Sequence, residues 1–393
     1  MFITNTMFKK MKLKTLFILF LITALTASCI KEEGLDREAD IVSISLDDKN
    51  FLTAIINEQT KEISLVMEGD ISKYNSGTIA PQIEVSPNAT VSPASLEPAR
   101  LDGYKCLYTV KSQDGNQKIY VVSITSYTPL VQSFEDWNII NPESSKPYEI
   151  PGDPMWTNAN QGVNMLYKGT VFPTRSINEW RPGSTGRKSV MLETIQGNRN
   201  NTVGVMDIPV YAGNMFRGEF AIGEALKNPL LTTKFGQPHP EHLGKPLYLV
   251  AYYKYKSGTP YLSYEGGVKD VKDVKEYPDR KDQLDIYAIL FKVPKGEEGR
   301  NIFLTADDIK TSDRIVATAF LEDRSEKADW EYLKLAFAYK EAIDFEKNDY
   351  KLTVVMTSST DGAMYQGAIG SQLVVDDLRV VCDSDDDKDE FRD

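Results

Sequence analysis

The sequence predicts an all-β protein of two packed units, an N-terminal immunoglobulin-like β-sandwich followed by a larger C-terminal β-sandwich jelly roll. Three observations predict it. Apolar residues alternate with polar ones at period two in one short segment after another, Gly, Pro, Asn and Asp clusters separate the segments, and no long stretch repeats at the helical period. The chain has 393 residues, enough for two domains with cores of their own.

Residues 1–28 stand apart as a leader. Lys9, Lys10, Lys12 and Lys14 precede an apolar run from Thr15 to Leu25, and no acid interrupts them. The run is too short for a relaxed membrane span and is led by positive charge, the pattern of a signal peptide. It closes on Leu25-Thr26-Ala27-Ser28-Cys29, which resembles the lipobox of bacterial lipoproteins. That resemblance implies cleavage before Cys29, acylation of its thiol and a lipid anchor; the alternative is an ordinary cleavable signal in which Cys29 is incidental. Residues 29–40 read as an anchor linker. Their Ile30-Lys31-Glu32-Glu33 is similar to the acidic signal that sends lipoproteins to the cell surface in some Gram-negative gut anaerobes. The expected location is the outer membrane, lipid-anchored and displayed on the surface.

Whole-chain charge is −12, from 45 Lys and Arg against 57 Asp and Glu. Removing the leader leaves 41 basic and 57 acidic residues, a balance of −16. No nucleic-acid partner is expected, because phosphate neutralisation needs a basic face. Of three cysteines, Cys106 and Cys382 each alternate with apolar neighbours and read as core thiols in separate units, so no disulfide framework is expected. The two histidines, His239 and His242, leave little material for a Ser-His-Asp triad or a multi-histidine zinc site. Pro240 between them disfavours a zincin helix.

Residues 41–127 form the first unit. Alternation runs at Val42/Ile44/Leu46, Ile63/Leu65/Met67, Ile83/Val85, Cys106/Tyr108/Val110 and Tyr120/Val122/Ile124, and Asp114-Gly115-Asn116 is a hairpin turn. About ninety residues of such strands fit an immunoglobulin-like sandwich. Nothing in them gathers polar groups around a pocket, so a spacer is the expected role. Residues 128–382 form the second unit, with alternation at Val190/Leu192, Leu249/Ala251/Tyr253/Tyr255, Asp285/Tyr287/Ile289/Phe291, Leu333/Leu335/Phe337/Tyr339 and Leu352/Val354/Met356. Strands with long Gly, Pro and Asn loops on this scale predict a jelly roll. The charge run Lys269 to Asp282 reads as a solvated loop, and residues 383–393 as a disordered acidic tail.

In the last strand, counting in twos places Asp376 with Val374, Leu378, Val380 and Cys382 on an apolar face. A buried carboxylate needs a cation, an arginine or backbone donors. The pairing of Phe134-Glu135-Asp136-Trp137 with Val375-Asp376-Asp377-Leu378 is similar to carbohydrate-binding jelly rolls in which first and last strands share a structural calcium. The resemblance implies Glu135 and Asp376 as its ligands; a structural hydrogen bond is the other expectation. Sugar recognition needs aromatic faces for C–H groups and planar amides, carboxylates or arginines for hydroxyls. Trp156, Asn158, Asn160 and Asn164 offer both within nine residues, and Arg175, Arg217 and Tyr253 fall on or beside candidate strands. Each has a structural reading too, as a turn, a cap or core packing.

The second unit resembles the putative carbohydrate-metabolism domain family of gut-bacterial surface lipoproteins, whose members often carry an immunoglobulin-like module ahead of it. The resemblance runs in order through Phe134-Glu135-Asp136-Trp137, Trp156 to Asn164, Pro173-Thr174, Lys188 to Thr194, Ala212 to Gly218 and Phe235 to Pro238. It continues through Tyr252 to Tyr255, Asp285 to Leu290, Ser358 to Gly362, Gly367 to Ser371 and Val375-Asp376-Asp377. It implies a jelly roll with a candidate glycan pocket and a role in carbohydrate metabolism, without supplying catalytic residues. Arg217-Gly218 departs from the Thr-Gly pair expected there and would favour an acidic sugar. A glycoside hydrolase needs two carboxyl groups flanking the scissile bond; Glu193 and Asp285 are the first pair to consider. The readings carried forward are a surface lipoprotein that binds or processes glycans, and a non-catalytic structural or adhesin subunit of the cell surface.

Overall fold

The computed structural model describes residues 35–127, 130–198, 208–221, 229–264 and 274–391. The leader, Cys29, the Ile30–Glu33 segment and the start of the charge run lie outside the described residues. Among those described, no helix is long and apolar enough to cross a membrane.

The first unit is a two-layer sandwich. Strands Phe51–Asn57, Glu62–Met67, Gln117–Ser126, Lys105–Lys111 and Thr90–Ser92 form one sheet in that order, parallel only between the second and third. Ile41–Ser45 pairs with Gln82–Val85, and Thr78–Ile79 with Ala99–Arg100, to make the other layer. The period-two residues Ile63, Leu65, Met67, Tyr108, Val110, Tyr120 and Val122 are buried between the layers. One phase differs from expectation: the register slips between Ile41 and Ser43, so Ile41 turns inward and Val42 lies exposed. A bulge puts an extra residue on one strand and reverses the alternation beyond it.

Two antiparallel sheets make the jelly roll. In the six-stranded sheet, Thr174–Ile177, Ser189–Glu193, Gln372–Cys382, Pro246–Lys256 and Lys327–Ala336 are neighbours in that order, and Val131–Gln132 adds to the last strand of the chain. First and last strands of the unit are therefore adjacent, as the sequence implied. The eight-stranded sheet runs Trp156–Thr157, Asn214–Phe220, Asp349–Thr357, Asp285–Val293, Ile315–Phe320 and Ala338–Tyr339, with Thr233–Phe235 and Gln237–Pro238 attached. Leu249, Ala251, Tyr253, Tyr255, Val190, Leu192, Ile286, Ala288, Leu290, Leu352 and Val354 fill the space between the sheets. The eight-stranded sheet is buried on both faces. Its outer side, with Tyr287, Ile289 and Phe291, is roofed by Leu304 and Ile309. Among the described residues no such roof covers the other sheet's outer side along Pro246–Lys256 and Lys327–Ala336, where Tyr332 is exposed.

The last strand does not keep its count. Leu373, Val375, Leu378, Val380 and Cys382 all join the inter-sheet core, so the step from Val375 to Leu378 is three residues instead of two. Asp377 takes a left-handed φ of 44° there, and the pairing with Pro246–Lys256 slips between Val250 and Tyr252. Asp376 therefore faces away from Leu378, Val380 and Cys382, contrary to the count in twos. The tail also differs from expectation. Arg379 Nη1 and Nη2 donate to Asp387 at 2.6 and 2.7 Å, and Asp385 accepts from the Cys382 amide at 2.8 Å. Residues 383–391 are thus docked on the fold by charge-assisted bonds. In the charge run, Lys275–Arg280 are exposed as expected, but Val274–Tyr277 is a strand paired with Tyr261–Tyr264 instead of a loop, and Asp282 is buried.

Gly213 sits where three backbone segments converge. Its amide donates to Glu193 O, and its carbonyl accepts from Ser358 N. A Cβ at this position would stand 2.3 Å from Glu193 N and 2.5 Å from Pro173 O. Gly213→Ala is expected to cost about 1–3 kcal/mol through overpacking, read as a lowered melting temperature; a variant that melts with the wild type would show that the segments can part.

The units meet in a packed junction. Tyr127 Oη donates to Pro238 O at 3.0 Å and accepts from Arg217 Nη2 at 2.9 Å. His242 Nδ1 lies 2.6 Å from Glu68 Oε1. Arg300 Nη2 donates to Phe51 O at 3.2 Å, with its guanidinium 4.8 Å above the Phe51 ring. Ile55 and Val66 of the first unit join the inter-sheet core.

Candidate functional site

Most of the residues chosen by type serve the fold. Trp156 and Tyr253 are buried in the inter-sheet core. Asn158 Nδ2 donates to Glu149 O at 3.1 Å, and Asn160 Nδ2 to Glu149 O at 2.9 Å and Thr174 O at 2.7 Å. These amides tie the Trp156 and Thr174 segments together. Asn164 turns its Oδ1 into the interior, without a partner among the described residues. Arg217 is fully buried at the junction, so its charge addresses Tyr127 and Pro238. With the Arg217 charge against it, Tyr127 is still raised to about 12, because burial outweighs that charge.

Arg175 and Glu193 are brought together. Arg175 Nη2 donates to Glu193 Oε2 at 2.5 Å, and Gln372 Nε2 to Oε1 at 3.1 Å. Asp285 lies on the other sheet, buried and held by Lys310 Nζ at 2.7 Å and Arg324 Nη2 at 3.0 Å. Each carboxylate thus has its own cations. Glu135 Oε1 accepts the amides of Arg187 and Lys188, both at 2.8 Å. Asp376 accepts those of Arg181 and Asp377, also at 2.8 Å, while burial raises its pKa. These two side chains anchor the 181–188 loop to the segment that follows the first strand and to the last strand. Among the described residues, no group of three His, Cys, Asp or Glu side chains gathers to hold a metal. A donor set already spent on amides does not fit a calcium cage.

The residues that sequence reasoning missed lie on the open outer side of the six-stranded sheet. Tyr252 faces Tyr332 across the strand pair, their rings 5.2 Å apart. The Arg181 guanidinium stacks 4.2 Å over Tyr252, and Lys254 Nζ lies 5.2 Å over Trp330 while pairing with Glu179. Arg187 covers Trp180 at 5.0 Å. Arg181 Nε donates to Asp377 Oδ2 at 2.6 Å, and Ser184 Oγ to Oδ1 at 3.2 Å. The left-handed turn at Asp377 therefore clamps the loop that carries Trp180 onto the strands that carry Tyr252 and Tyr332. Trp180 stays 37% and Tyr332 45% exposed, so aromatic surface stands open among arginine, lysine and carboxylate groups. Such a surface offers C–H stacking and charge-assisted hydrogen bonds side by side.

A second opening, a cleft of about 1170 Å³, lies between the units. Its walls include Ser43, Asn57, Gln59 and Lys118 from the first and Asn138, Gln161, Glu219, Lys234, Arg300 and Asn301 from the second. Glu219 and Lys234 stand opposite each other in register. Beside them Lys351 Nζ donates to Arg300 O at 2.7 Å and lies 3.6 Å over the Phe303 ring. Burial raises the Glu219 carboxyl and pushes the Lys351 ammonium down to about 7.

Residues 133–381 match the family model described as putative carbohydrate metabolism domain, and residues 41–124 the one described as SGBP, N-terminal. A putative glycoside hydrolase from Bacteroides thetaiotaomicron VPI-5482 is similar at 30% identity and a TM-score of 0.71, over 90% of this chain and 100% of that one. A putative glycoside hydrolase from Bacteroides vulgatus ATCC 8482 is similar at 28% identity and a TM-score of 0.53, over 65% of this chain and 98% of that one. Among curated proteins nothing matches.

Proposed function

The chain belongs to the putative carbohydrate metabolism domain family, and from that premise we propose that it is a surface lipoprotein that captures glycans on the open aromatic side of its jelly roll. The observation that carries this reading is the exposure of Trp180 and Tyr332 beside Arg181, Lys254 and Glu179 on a single sheet face. A pyranose stacks its C–H face on such a ring while the planar guanidinium and carboxylate take its hydroxyls. Cys29 carries the lipid anchor, supported by the basic leader and the small residues ahead of it. The first unit holds the jelly roll away from the membrane.

The second reading is hydrolysis, favoured by the names of the two solved relatives. It would need Glu193 or Asp285 to leave its ion pairs. A glycan array with the mature protein, followed by an assay for new reducing ends, tests both. Wild type is expected to bind, and Trp180→Ala and Tyr332→Ala each to weaken binding at least about tenfold, roughly 1.4 kcal/mol. Reducing-end release that disappears in Glu193→Gln would establish processing. A chain that binds no glycan would instead be the structural subunit.

A further inference from the structure

The cleft between the units is separate from the open sheet face and is held by fixed walls. Arg300 on Phe51 joins the units on the cleft wall itself, and Arg217 on Tyr127 and His242 on Glu68 join them elsewhere in the junction. Its charged groups largely answer one another. Lys61 pairs with Glu58 at 2.6 Å, Lys118 with Asp40, Arg300 with Glu297 at 4.0 Å, and Glu219 stands opposite Lys234, leaving Glu62 as the odd carboxylate. What the walls offer besides these is planar amide. The side chains of Gln59, Asn138, Gln161 and Asn301 line the cleft and make no hydrogen bond among the described residues. An amide presents a donor and an acceptor side by side, which matches two neighbouring hydroxyls. At about 1170 Å³ the space exceeds the roughly 300–1,000 Å³ of ordinary small-molecule pockets. A chain of several units would fill it.

We propose that the inter-unit cleft is a second glycan site that takes an uncharged oligosaccharide, with the amides of Gln59, Asn138, Gln161 and Asn301 as its hydrogen-bonding groups. It rests on the reading of the protein as a glycan binder. It gives the first unit a role as one wall of a site, beyond that of a spacer.

The test is calorimetric titration of the full mature chain with cello-, manno- and malto-oligosaccharides from disaccharide to octasaccharide, and with oligogalacturonides as the acidic counterpart. Wild type is expected to bind two equivalents of a short oligosaccharide. Gln161→Ala/Asn301→Ala should remove one of them, leave binding at the open face unchanged and lower octasaccharide affinity at least about tenfold. Trp180→Ala/Tyr332→Ala should leave the cleft equivalent in place. These four side chains are half-buried or exposed, so melting temperatures close to wild type are expected to accompany the changes. A single equivalent lost wholly with Trp180→Ala/Tyr332→Ala, and untouched by the amide substitutions, overturns the cleft site while the glycan-binding function stands. Cleft binding confined to oligogalacturonides overturns the uncharged ligand. A wild-type chain that binds none of the series overturns both readings.

Discussion

Asp282→Ala should melt about 6–12 °C below the wild type, a loss of about 3 kcal/mol. Asp282 is a junction for four chain segments, three of them met by its carboxylate. Its Oδ2 accepts from Ser359 Oγ at 2.5 Å, Ala368 N at 2.7 Å and Ser371 Oγ at 2.7 Å, and Oδ1 from Gln283 N at 2.9 Å. The Asp282 amide in turn donates to Ser257 Oγ at 3.0 Å. Burial raises its pKa while these donors pull it down, so among the described residues the group is held in place by hydrogen bonds and not by a cation. Alanine would strand three donors on residues with no exposed surface, each costing about 1–3 kcal/mol if unsatisfied. Asp282→Asn keeps one acceptor and should lose less than half as much. Differential scanning calorimetry separates the cases; an alanine variant melting within about 2 °C of wild type would mean that other acceptors take over. The motif blocks Ser358 to Gly362 and Gly367 to Ser371 owe part of their composition to this junction. A Cβ on Gly367 would come within 2.1 Å of Ser359 Oγ.

The strands and the two-unit plan were legible because burial of one face imposes period two on sequence, and the buried series at Ile63, Tyr108, Leu249 and Leu352 follows it. Phase was the weak point. Residue type makes Tyr253 a candidate sugar contact, yet Tyr253 points into the core and its neighbour Tyr252 into the aromatic array. Alternation alone cannot say which of two aromatic neighbours faces water when both strand faces are apolar in part. The left-handed turn at Asp377 was equally hidden, since a bulge is a backbone event with no fixed residue signature outside glycine. The functional side was legible as far as residue type goes. Asn158, Asn160 and Arg217 have the chemistry of sugar ligands, but long-range partners such as Glu149 O and Tyr127 consume it. The one usable signal for the missed surface was Glu179-Trp180-Arg181, an aromatic flanked by opposite charges in a stretch without strand alternation.

The second large effect concerns pH and the junction between the units. His239 is buried, and desolvation pushes its pKa down to about 4; the Arg217 and His242 charges act in the same direction, while Gly244 O and Asp383 act against it. Its Nε2 lies 2.7 Å from Gly244 O and its Nδ1 has no partner among the described residues, an arrangement suited to a neutral ring that donates from Nε2. The free side chain titrates near 6.5. Between these two values the unfolded chain binds a proton that the native chain does not, so stability is complete above pH 6.5 and is lost as pH falls towards 4. The shift corresponds to about 3 kcal/mol over the whole window, of which about 2 kcal/mol is lost by pH 5. Urea unfolding at pH 7 and pH 5 measures it directly. His239→Gln keeps a donor for Gly244 O, cannot take up the proton, and should show a pH 7 to pH 5 loss smaller than the wild type's by that amount. Equal losses in the two proteins would move the acid sensitivity to other groups. Because Pro238, next to His239, accepts from Tyr127 and Arg217, protonation at His239 strains the contact that joins the two units, and acid should loosen the junction before it unfolds the sheets.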